Sequence, residues 1–280
     1  MTLRDIDREE GPRPSAPDGT LPRVMAPQPY GTLAEVYEWL VPDSLLTPEG
    51  TVAAFAEVVD ALPPGASVLD CAAGIGQLAV GLRLRGFDVT ATDASPAMVE
   101  RTKALAAEHG VDVRAATCRW DEIGDQGWSG TFDAVFCVGN ALVHASGTTA
   151  RQHALGQMAG TLRPGGVLVV TSRNWELVRE RGSGVRIGEK LVERHGRRGV
   201  IVYAWTIPER WNERHDLDVA VAFLDSSGAV TSAGERLELW PFRHEALEAE
   251  LRAAGLAAQT STYAPEAERY LVTARRAAGA

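Results

Sequence analysis

From residue 67 to residue 171 the chain alternates short apolar segments with longer segments of helical periodicity, and this alternation constrains the fold most. The apolar segments are nearly continuous, as in strands that are buried on both faces. The segments between them are roughly 10–15 residues long and apolar on one side, which is typical of βαβ units. The sequence therefore predicts an α/β fold with a doubly wound, mostly parallel sheet. The predicted strands are 67–70, 88–92, 111–116, 132–138 and 167–171, and the predicted helices are 33–40, 51–62, 77–85, 96–108 and 149–162.

The two ends of the chain differ from this central pattern. Residues 1–29 contain six prolines, which prevent a continuous helix and interrupt sheet pairing. We predict a disordered or extended tail there, which is either passive or an arm over a partner subunit or over the active site. After Asn174 the rhythm changes to antiparallel or mixed strands that finish the sheet and supply a lid. The predicted strands of this part are 200–206, 217–224, 236–240 and 270–274, with a helix over 244–254.

Composition excludes several classes of function. The chain has 28 Lys and Arg against 37 Asp and Glu, a formal net charge of −9, so it lacks the basic face that nucleic-acid binding needs. Its three cysteines are an odd number without metal-ligand spacing, which favours a reducing, cytoplasmic location and argues against zinc. No apolar run approaches the roughly 20 residues of a membrane span. We therefore expect neither a nucleic-acid nor a membrane partner, and no metal.

A glycine motif follows the first predicted strand. Residues 68–78 read Val-Leu-Asp-Cys-Ala-Ala-Gly-Ile-Gly-Gln-Leu, a strand that ends in Asp70 and passes through Gly74 and Gly76 into a helix. Glycine permits a tight turn and close approach of a ligand, and the helix start offers free N–H groups. The segment also fits the fingerprint of dinucleotide-binding proteins, so a nicotinamide dinucleotide is one interpretation. Against it, Asp70 would repel a pyrophosphate and suits a cation such as an α-ammonium.

A second acid, Asp93, ends the second predicted strand, 17 residues after Gly76. Its carboxylate is able to accept two hydrogen bonds from a ribose diol, or alternatively it serves as a turn residue before the next helix. Segments 68–76, 89–93 and 162–166 together resemble class I methyltransferases that use S-adenosylmethionine. The resemblance implies a Rossmann-like, seven-stranded sheet with S-adenosylmethionine as cofactor. It assigns the methionine part of the cofactor to Asp70, Gly74 and Gly76 and the ribose to Asp93. Further cofactor contacts are expected from Ala72, Ala94, Met98, Arg119, Cys137 and, beside the adenine, Trp120.

A narrower resemblance covers residues 132–144 and 162–176, which are similar to glycine and sarcosine N-methyltransferases. In those enzymes an arginine after the fifth strand grips the carboxylate of the amino acid, and an asparagine after the fourth strand helps to position it. The resemblance therefore implies that Arg173 and Asn140 bind substrate, with His144 nearby and Tyr37 as a candidate for orienting the amine. An arginine at this edge suits a planar anion, although an internal salt bridge is the alternative.

The expected activity is methyl transfer from S-adenosylmethionine to a small amine that bears a carboxylate. Transfer of this kind works by proximity, so no catalytic residue is assigned and His144 is the one candidate base. The alternatives are an O- or C-methyltransferase acting on a specialised metabolite and a non-catalytic S-adenosylmethionine-binding protein. We expect one methyltransferase domain over 30–280, with a cofactor half at 66–175 and a substrate or lid region at 176–265, and we leave a homo-oligomer open.

Overall fold

The computed structural model describes residues 33–225 and 227–278, so the predicted tail at 1–29 lies outside the described residues. The strands are β1 (Ser67–Asp70), β2 (Asp88–Asp93), β3 (Arg114–Thr117), β4 (Phe132–Cys137), β5 (Leu162–Arg173), β6 (Gly184–Ile187), β7 (Val192–Arg194), β8 (Arg197–Thr206), β9 (His215–Leu224), β10 (Val230–Leu239), β11 (Leu256–Ser261) and β12 (Arg269–Arg276). Seven of them form one sheet in the order β11-β12-β5-β4-β1-β2-β3. The pairs among β1 to β5 are parallel, and β12 and β11 are antiparallel additions. The predicted mostly parallel, seven-stranded sheet is confirmed.

The helices lie between these strands and after them. The α-helices are α1 (Leu33–Leu40), α2 (Pro48–Ala53), α3 (Ala56–Val59), α4 (Gln77–Leu84), α5 (Pro96–Glu108), α6 (Thr148–Thr161), α7 (Trp175–Glu180) and α8 (His244–Ala253). Short 3-10 helices cover Asp43–Leu45, Trp120–Gln126 and Ala141–His144. Within the described ranges, none of these helices has the length and apolarity that crossing a bilayer requires.

Several predicted elements have different bounds in the structure; the strand predicted at 167–171, for example, covers Leu162–Arg173. Two of the differences have a clear cause. The prediction of a single helix over 51–62 is wrong, because α2 starts earlier and the helix is interrupted between α2 and α3. The earlier start is a capping effect: the Thr47 hydroxyl accepts a hydrogen bond from the Gly50 N–H, with proline at the first helical position. The third strand begins at Arg114 rather than at 111, since the Val111 N–H bonds back to the Ala106 carbonyl and closes the end of α5.

The core lies on both faces of the main sheet, as the apolar strands predict. Alternate strand residues such as Val68 and Phe136 pack with Leu82 of α4 on one face. Their neighbours Leu69 and Val135 pack on the opposite face, in a cluster that includes residues of α6 and of the second sheet. Each central strand therefore separates two apolar layers, and its carboxyl end opens towards the loops.

A second, antiparallel sheet accounts for most of the region after α7. It has the order β10-β9-β8-β6, with β7 also paired to β8, so the strands predicted at 200–206, 217–224 and 236–240 form a separate sheet. The strand predicted at 270–274 does finish the main sheet as β12. The second sheet packs on α1 through an edge-to-face contact of Trp39 with Phe223, at 5.0 Å between centroids. Its end is joined to the main domain by a 2.8 Å hydrogen bond from the Trp240 N–H to the Val143 carbonyl.

Candidate active site

One cavity of about 680 Å³ opens at the carboxyl ends of the central parallel strands. This is the edge where open α/β sheets bind ligands, and the volume is within the roughly 300–1,000 Å³ of small-molecule sites. Nine of the fourteen site residues that the sequence predicts line the cavity. They are Tyr37, Ala72, Gly74, Asp93, Ala94, Met98, Arg119, Trp120 and His144.

Five other predicted site residues are absent from the cavity wall. Asp70 and Cys137 are fully buried at the ends of β1 and β4, and Gly76 supports the glycine loop from behind. Asn140 and Arg173 lie beside the cavity, at the ends of β4 and β5. The contribution of each of the fourteen residues to ligand binding stays a prediction.

The glycine loop adopts the conformation that its sequence requires. Gly74 and Gly76 have φ values of +55° and +87°, a region that side chains disfavour. A Cβ on Gly76 would stand 2.8 Å from the Cα of Thr102, so α5 packs directly on the loop. The Thr102 hydroxyl donates a 3.0 Å hydrogen bond to the Gly74 carbonyl. Both glycines are therefore needed for the loop to sit between β1 and α5.

Asp70 is a fully buried acid whose charge is left without compensation. Neither carboxylate oxygen has a hydrogen-bond partner in the described part of the chain. Burial raises the pKa of Asp70 to about 7; the nearby Ala72 N–H opposes this rise, and the charge of Asp93 adds to it. Burying a carboxylate without a partner is costly. A cationic group at the glycine loop would remove that cost, and the α-ammonium of S-adenosylmethionine has the required charge.

Asp93 closes the loop on its other side. One oxygen accepts a 2.9 Å hydrogen bond from the Gly74 N–H and the other accepts one of 2.9 Å from the Ser95 N–H. Burial raises the pKa of Asp93, and these backbone donors lower it in part. Each oxygen retains a further lone pair, and Asp93 lines the cavity. The fixed carboxylate is thus suited to accept hydrogen bonds from a ribose diol.

Trp120 is another residue of the cavity wall. Its indole N–H donates a 2.8 Å hydrogen bond to the Cys71 carbonyl at the end of β1, which fixes the ring. Cys71 also lines the cavity, and burial raises the pKa of its thiol well above the ordinary value. Its sulfur donates to the Phe136 carbonyl at 3.2 Å, so this cysteine is a neutral wall residue rather than a thiolate. A fixed indole face beside an apolar wall suits a flat ring such as adenine.

Tyr37 and His144 also line the cavity. The Tyr37 ring spans the gap between Gly74 and Gly139, with its hydroxyl oxygen 3.9 Å from the position of a Cβ on Gly139. Burial raises the pKa of Tyr37, and the nearby charge of Asp93 adds to this, so the phenol is neutral. Burial lowers the pKa of His144 to about 4, although its hydrogen bond to the Glu238 backbone opposes this. At neutral pH His144 is therefore an uncharged ring that holds a proton poorly.

Asn140 and Arg173 are connected to each other. Asn140 adopts a left-handed conformation with φ of 68°, and its side-chain oxygen accepts a 2.9 Å hydrogen bond from the Arg173 backbone N–H. This bond links the ends of β4 and β5. The Arg173 guanidinium carbon lies 6.0 Å from the Trp205 ring centroid, over the second sheet. The alternative of an internal salt bridge at Arg173 stays a prediction; the charge of Arg173 is close enough to Glu268 to contribute to lowering the pKa of that carboxyl, after the hydrogen bond from Arg181.

Sequence reasoning missed the part of the wall that follows His144. These residues fall on one face at the start of α6, at spacings of three and four, which is a detectable helical pattern. No chemical motif marks them, because most are small. They are Ser146, Thr149, Ala150, His153 and Ala154.

Comparison with known proteins places this geometry in a family. Residues 68–166 match a family described as methyltransferase domain. The glycine/sarcosine N-methyltransferase of Parasynechococcus marenigrum is 35% identical over 123 residues, 44% of this chain and 43% of that protein. Glycine N-methyltransferase of Rattus norvegicus is 34% identical over 127 residues, 41% of this chain and 43% of that protein. The chain thus spans about 43% of the length of these relatives.

Solved structures extend the likeness over most of the chain. The S-adenosylmethionine-bound CalS10 of Micromonospora echinaspora, an amino pentose methyltransferase, is 26% identical, with a TM-score of 0.69 and coverage of 86% of this chain and 96% of that one. This chain carries a class I S-adenosylmethionine-dependent methyltransferase domain. DesVI of Streptomyces venezuelae shares the fold of this chain. It is 21% identical, with a TM-score of 0.70 and coverage of 87% of this chain and 98% of that one. The cofactor of this methyltransferase domain is S-adenosylmethionine. The fully buried Asp70 and the glycine loop fit this cofactor.

Proposed function

We propose that this methyltransferase transfers a methyl group to the amine of a small molecule that bears a carboxylate. The observation that carries the proposal is the cavity itself. It continues from the residues suited to the cofactor, Asp93 and Trp120, to a region bounded by Tyr37, Gly139 and His144. The relatives named glycine/sarcosine N-methyltransferase support an amine as the acceptor. Arg173, at the edge of the same region, supports a carboxylate on it.

The cofactor, when bound, supplies a methyl group on a sulfonium that needs no further activation. The protein then has to orient the acceptor and exclude water, and orientation of this kind is worth about 7–11 kcal/mol. The acceptor must attack as a neutral amine. His144, whose pKa is lowered to about 4 by burial, is too weak a base to hold an ammonium proton, because amines have pKa values near 10. We therefore assign His144 to the wall of the acceptor region and the proton to solvent.

The experiment is a methylation assay with glycine, sarcosine and dimethylglycine beside neutral amines and phenols. We expect turnover of carboxylate-bearing amines. Arg173→Ala should raise the KM for them by about tenfold or more, as loss of a charged hydrogen bond does, with S-adenosylhomocysteine affinity unchanged. Arg163→Ala, at the opposite end of β5, is the matched control and should leave KM unchanged. Turnover of phenols alone, or an unchanged KM in Arg173→Ala, would refute this assignment.

An amino sugar is the second candidate acceptor. The specific observation in its favour is that the likeness to CalS10 covers 86% of this chain, whereas the glycine/sarcosine relatives match 41–44% of it. The second sheet also brings Trp205 under Arg173, and aromatic faces pack well on sugar rings. Preference for an amino sugar over every amino acid in the same assay would decide for it, and S-adenosylhomocysteine binding without any turnover would indicate a non-catalytic binding protein.

A further inference from the structure

Two arginines share one tryptophan ring at the edge of the second sheet. The guanidinium carbon of Arg179 lies 4.7 Å from the Trp211 ring centroid and that of Arg243 lies 4.9 Å from the same centroid. Because both guanidinium carbons lie within about 5 Å of the same centroid, the distance between them is at most about 10 Å. This is about one Debye length at 0.1 M salt, so the two charges are not fully screened from each other. They repel each other: burial lowers the pKa of Arg179, and the charge of Arg243 lowers it further.

Neither arginine has a carboxylate partner. In the ranges that the structure describes, no ion pair within 4.0 Å involves Arg179 or Arg243. The charge of Glu213 contributes to raising the pKa of Arg179, but Glu213 itself pairs with Arg210 at 3.8 Å. Several other arginines of this region do have a carboxylate partner. They include Arg181 with Glu268, Arg214 with Glu238 and Arg236 with Asp218.

Neutral groups hold Arg179 in place. One terminal nitrogen lies 2.8 Å from His215 Nε2, and the other donates a 2.7 Å hydrogen bond to the Glu209 carbonyl. His215 is fully buried, and its Nδ1 lies 3.0 Å from the Glu213 carbonyl. A carbonyl only accepts and a guanidinium only donates, so His215 must be neutral with its proton on Nδ1. Burial, which lowers the pKa of His215, keeps it so. Arg179 is thus oriented without losing its charge.

We propose that Arg179, Arg243 and Trp211 form a binding site for a phosphate or pyrophosphate group of the methyl acceptor. Two uncompensated guanidiniums carry two positive charges, which a phosphate monoester or a pyrophosphate diester matches and a single carboxylate does not. The indole adds a flat apolar surface for whatever the phosphate carries. An acceptor of this kind is an amine on a phosphorylated or nucleotide-linked small molecule, which fits the amino-sugar candidate better than a free amino acid.

The site lies on the acceptor side of the fold. α7 follows directly from the carboxyl end of β5, and Arg179 lies in α7, six residues after Arg173. Trp175 of α7 packs edge-to-face on Trp205 at 6.1 Å, the ring beneath Arg173. A phosphate held by Arg179 would therefore anchor an acceptor whose amine points back to the cavity. This step rests on the proposed methyl transfer, whereas the anion site does not.

The first test measures binding of inorganic pyrophosphate to the full chain by calorimetry, with Trp fluorescence as a second readout. We expect binding to weaken about tenfold or more in Arg179→Gln and in Arg243→Gln. Arg236→Gln, which removes one compensated charge from the same sheet, should bind like the wild type. Because Arg243 is exposed, its substitution leaves the fold intact even if Arg179→Gln disturbs His215. Equal binding by all four proteins, or none by any, would overturn the site.

The second test separates an acceptor site from a site for a free anion. Methyl transfer is measured with amines in matched pairs, such as glucosamine and glucosamine 1-phosphate. We expect the phosphorylated member to have the lower KM, this advantage to disappear in Arg243→Gln, and pyrophosphate to inhibit competitively. Pyrophosphate binding without competition would refute the acceptor assignment. Absence of turnover with any amine, with S-adenosylhomocysteine and pyrophosphate both bound, would refute the proposed function and leave the anion site standing.

Discussion

Replacing Asp70 by asparagine should make the ligand-free protein more stable at neutral pH. The folded chain holds the Asp70 proton up to a pKa of about 7, against 3.8 for an ordinary aspartate, because the group is buried. Between these two values the unfolded chain is ionised while the folded chain is still protonated. The unfolded state therefore binds fewer protons, and the free energy of unfolding falls as pH rises through this window. Above pH 7 both states are ionised and the loss is complete.

The size of the effect follows from the same values. From pH 5 to the folded pKa of about 7 is two pH units, and each unit is worth 1.36 kcal/mol, so the wild type should lose about 3 kcal/mol. Asp70→Asn mimics the protonated acid and lacks this loss. The difference in unfolding free energy between variant and wild type should thus grow by about 3 kcal/mol from pH 5 to pH 8.

Urea unfolding at pH 5 and pH 8, without ligand, measures this difference. Asp125→Asn, which removes an exposed carboxylate, is the control and should show no comparable change. S-adenosylhomocysteine should bind wild type more tightly as pH rises from 5 to 7, since its ammonium favours the ionised acid, and Asp70→Asn should lose that dependence. If the unfolding free energies of wild type and Asp70→Asn change in parallel with pH, burial does not raise the pKa of Asp70.

Three further predictions concern packing around the site and beyond it. Gly76→Ala should lower the free energy of unfolding by more than the roughly 1–2 kcal/mol that a left-handed backbone costs a residue with a Cβ, because the new methyl group would also collide with α5. Gly86→Ala, with φ of +88° and open space around it, should lower it only by the backbone cost. Urea unfolding measures both. Trp120→Phe removes the 2.8 Å hydrogen bond and should weaken S-adenosylhomocysteine binding about fivefold by calorimetry; unchanged affinity would separate the ring from the cofactor. Arg151→Met leaves Glu250 buried without its 2.6 Å partner and should cost about 3–5 kcal/mol of unfolding free energy. The double variant with Glu250→Leu should recover most of it, and a loss below about 1 kcal/mol in the single variant would contradict a buried pair.

The cofactor side of the candidate site was more predictable than the acceptor side. Gly74 and Asp93 follow directly from strand ends, so a local motif locates them, and the structure places both on the cavity wall. Arg173 was also located at a strand end, but its setting against Trp205 depends on a strand 32 residues further along. The α6 face that follows His144 in the chain consists mostly of small residues, and only the folded structure reveals that it lines a cavity.

By itself the sequence determined the alternation of strands and helices, the doubly wound sheet and the glycine loop between two acids. These features depend on the side-chain period and on turn chemistry within a few residues. Only the tertiary structure decided that β8, β9 and β10 belong to a second sheet, that Asp70 has no hydrogen-bond partner among the described residues, and that Arg179 and Arg243 both contact Trp211. Pairing between distant strands and the compensation of charges depend on contacts far apart in the chain, and no local pattern encodes them.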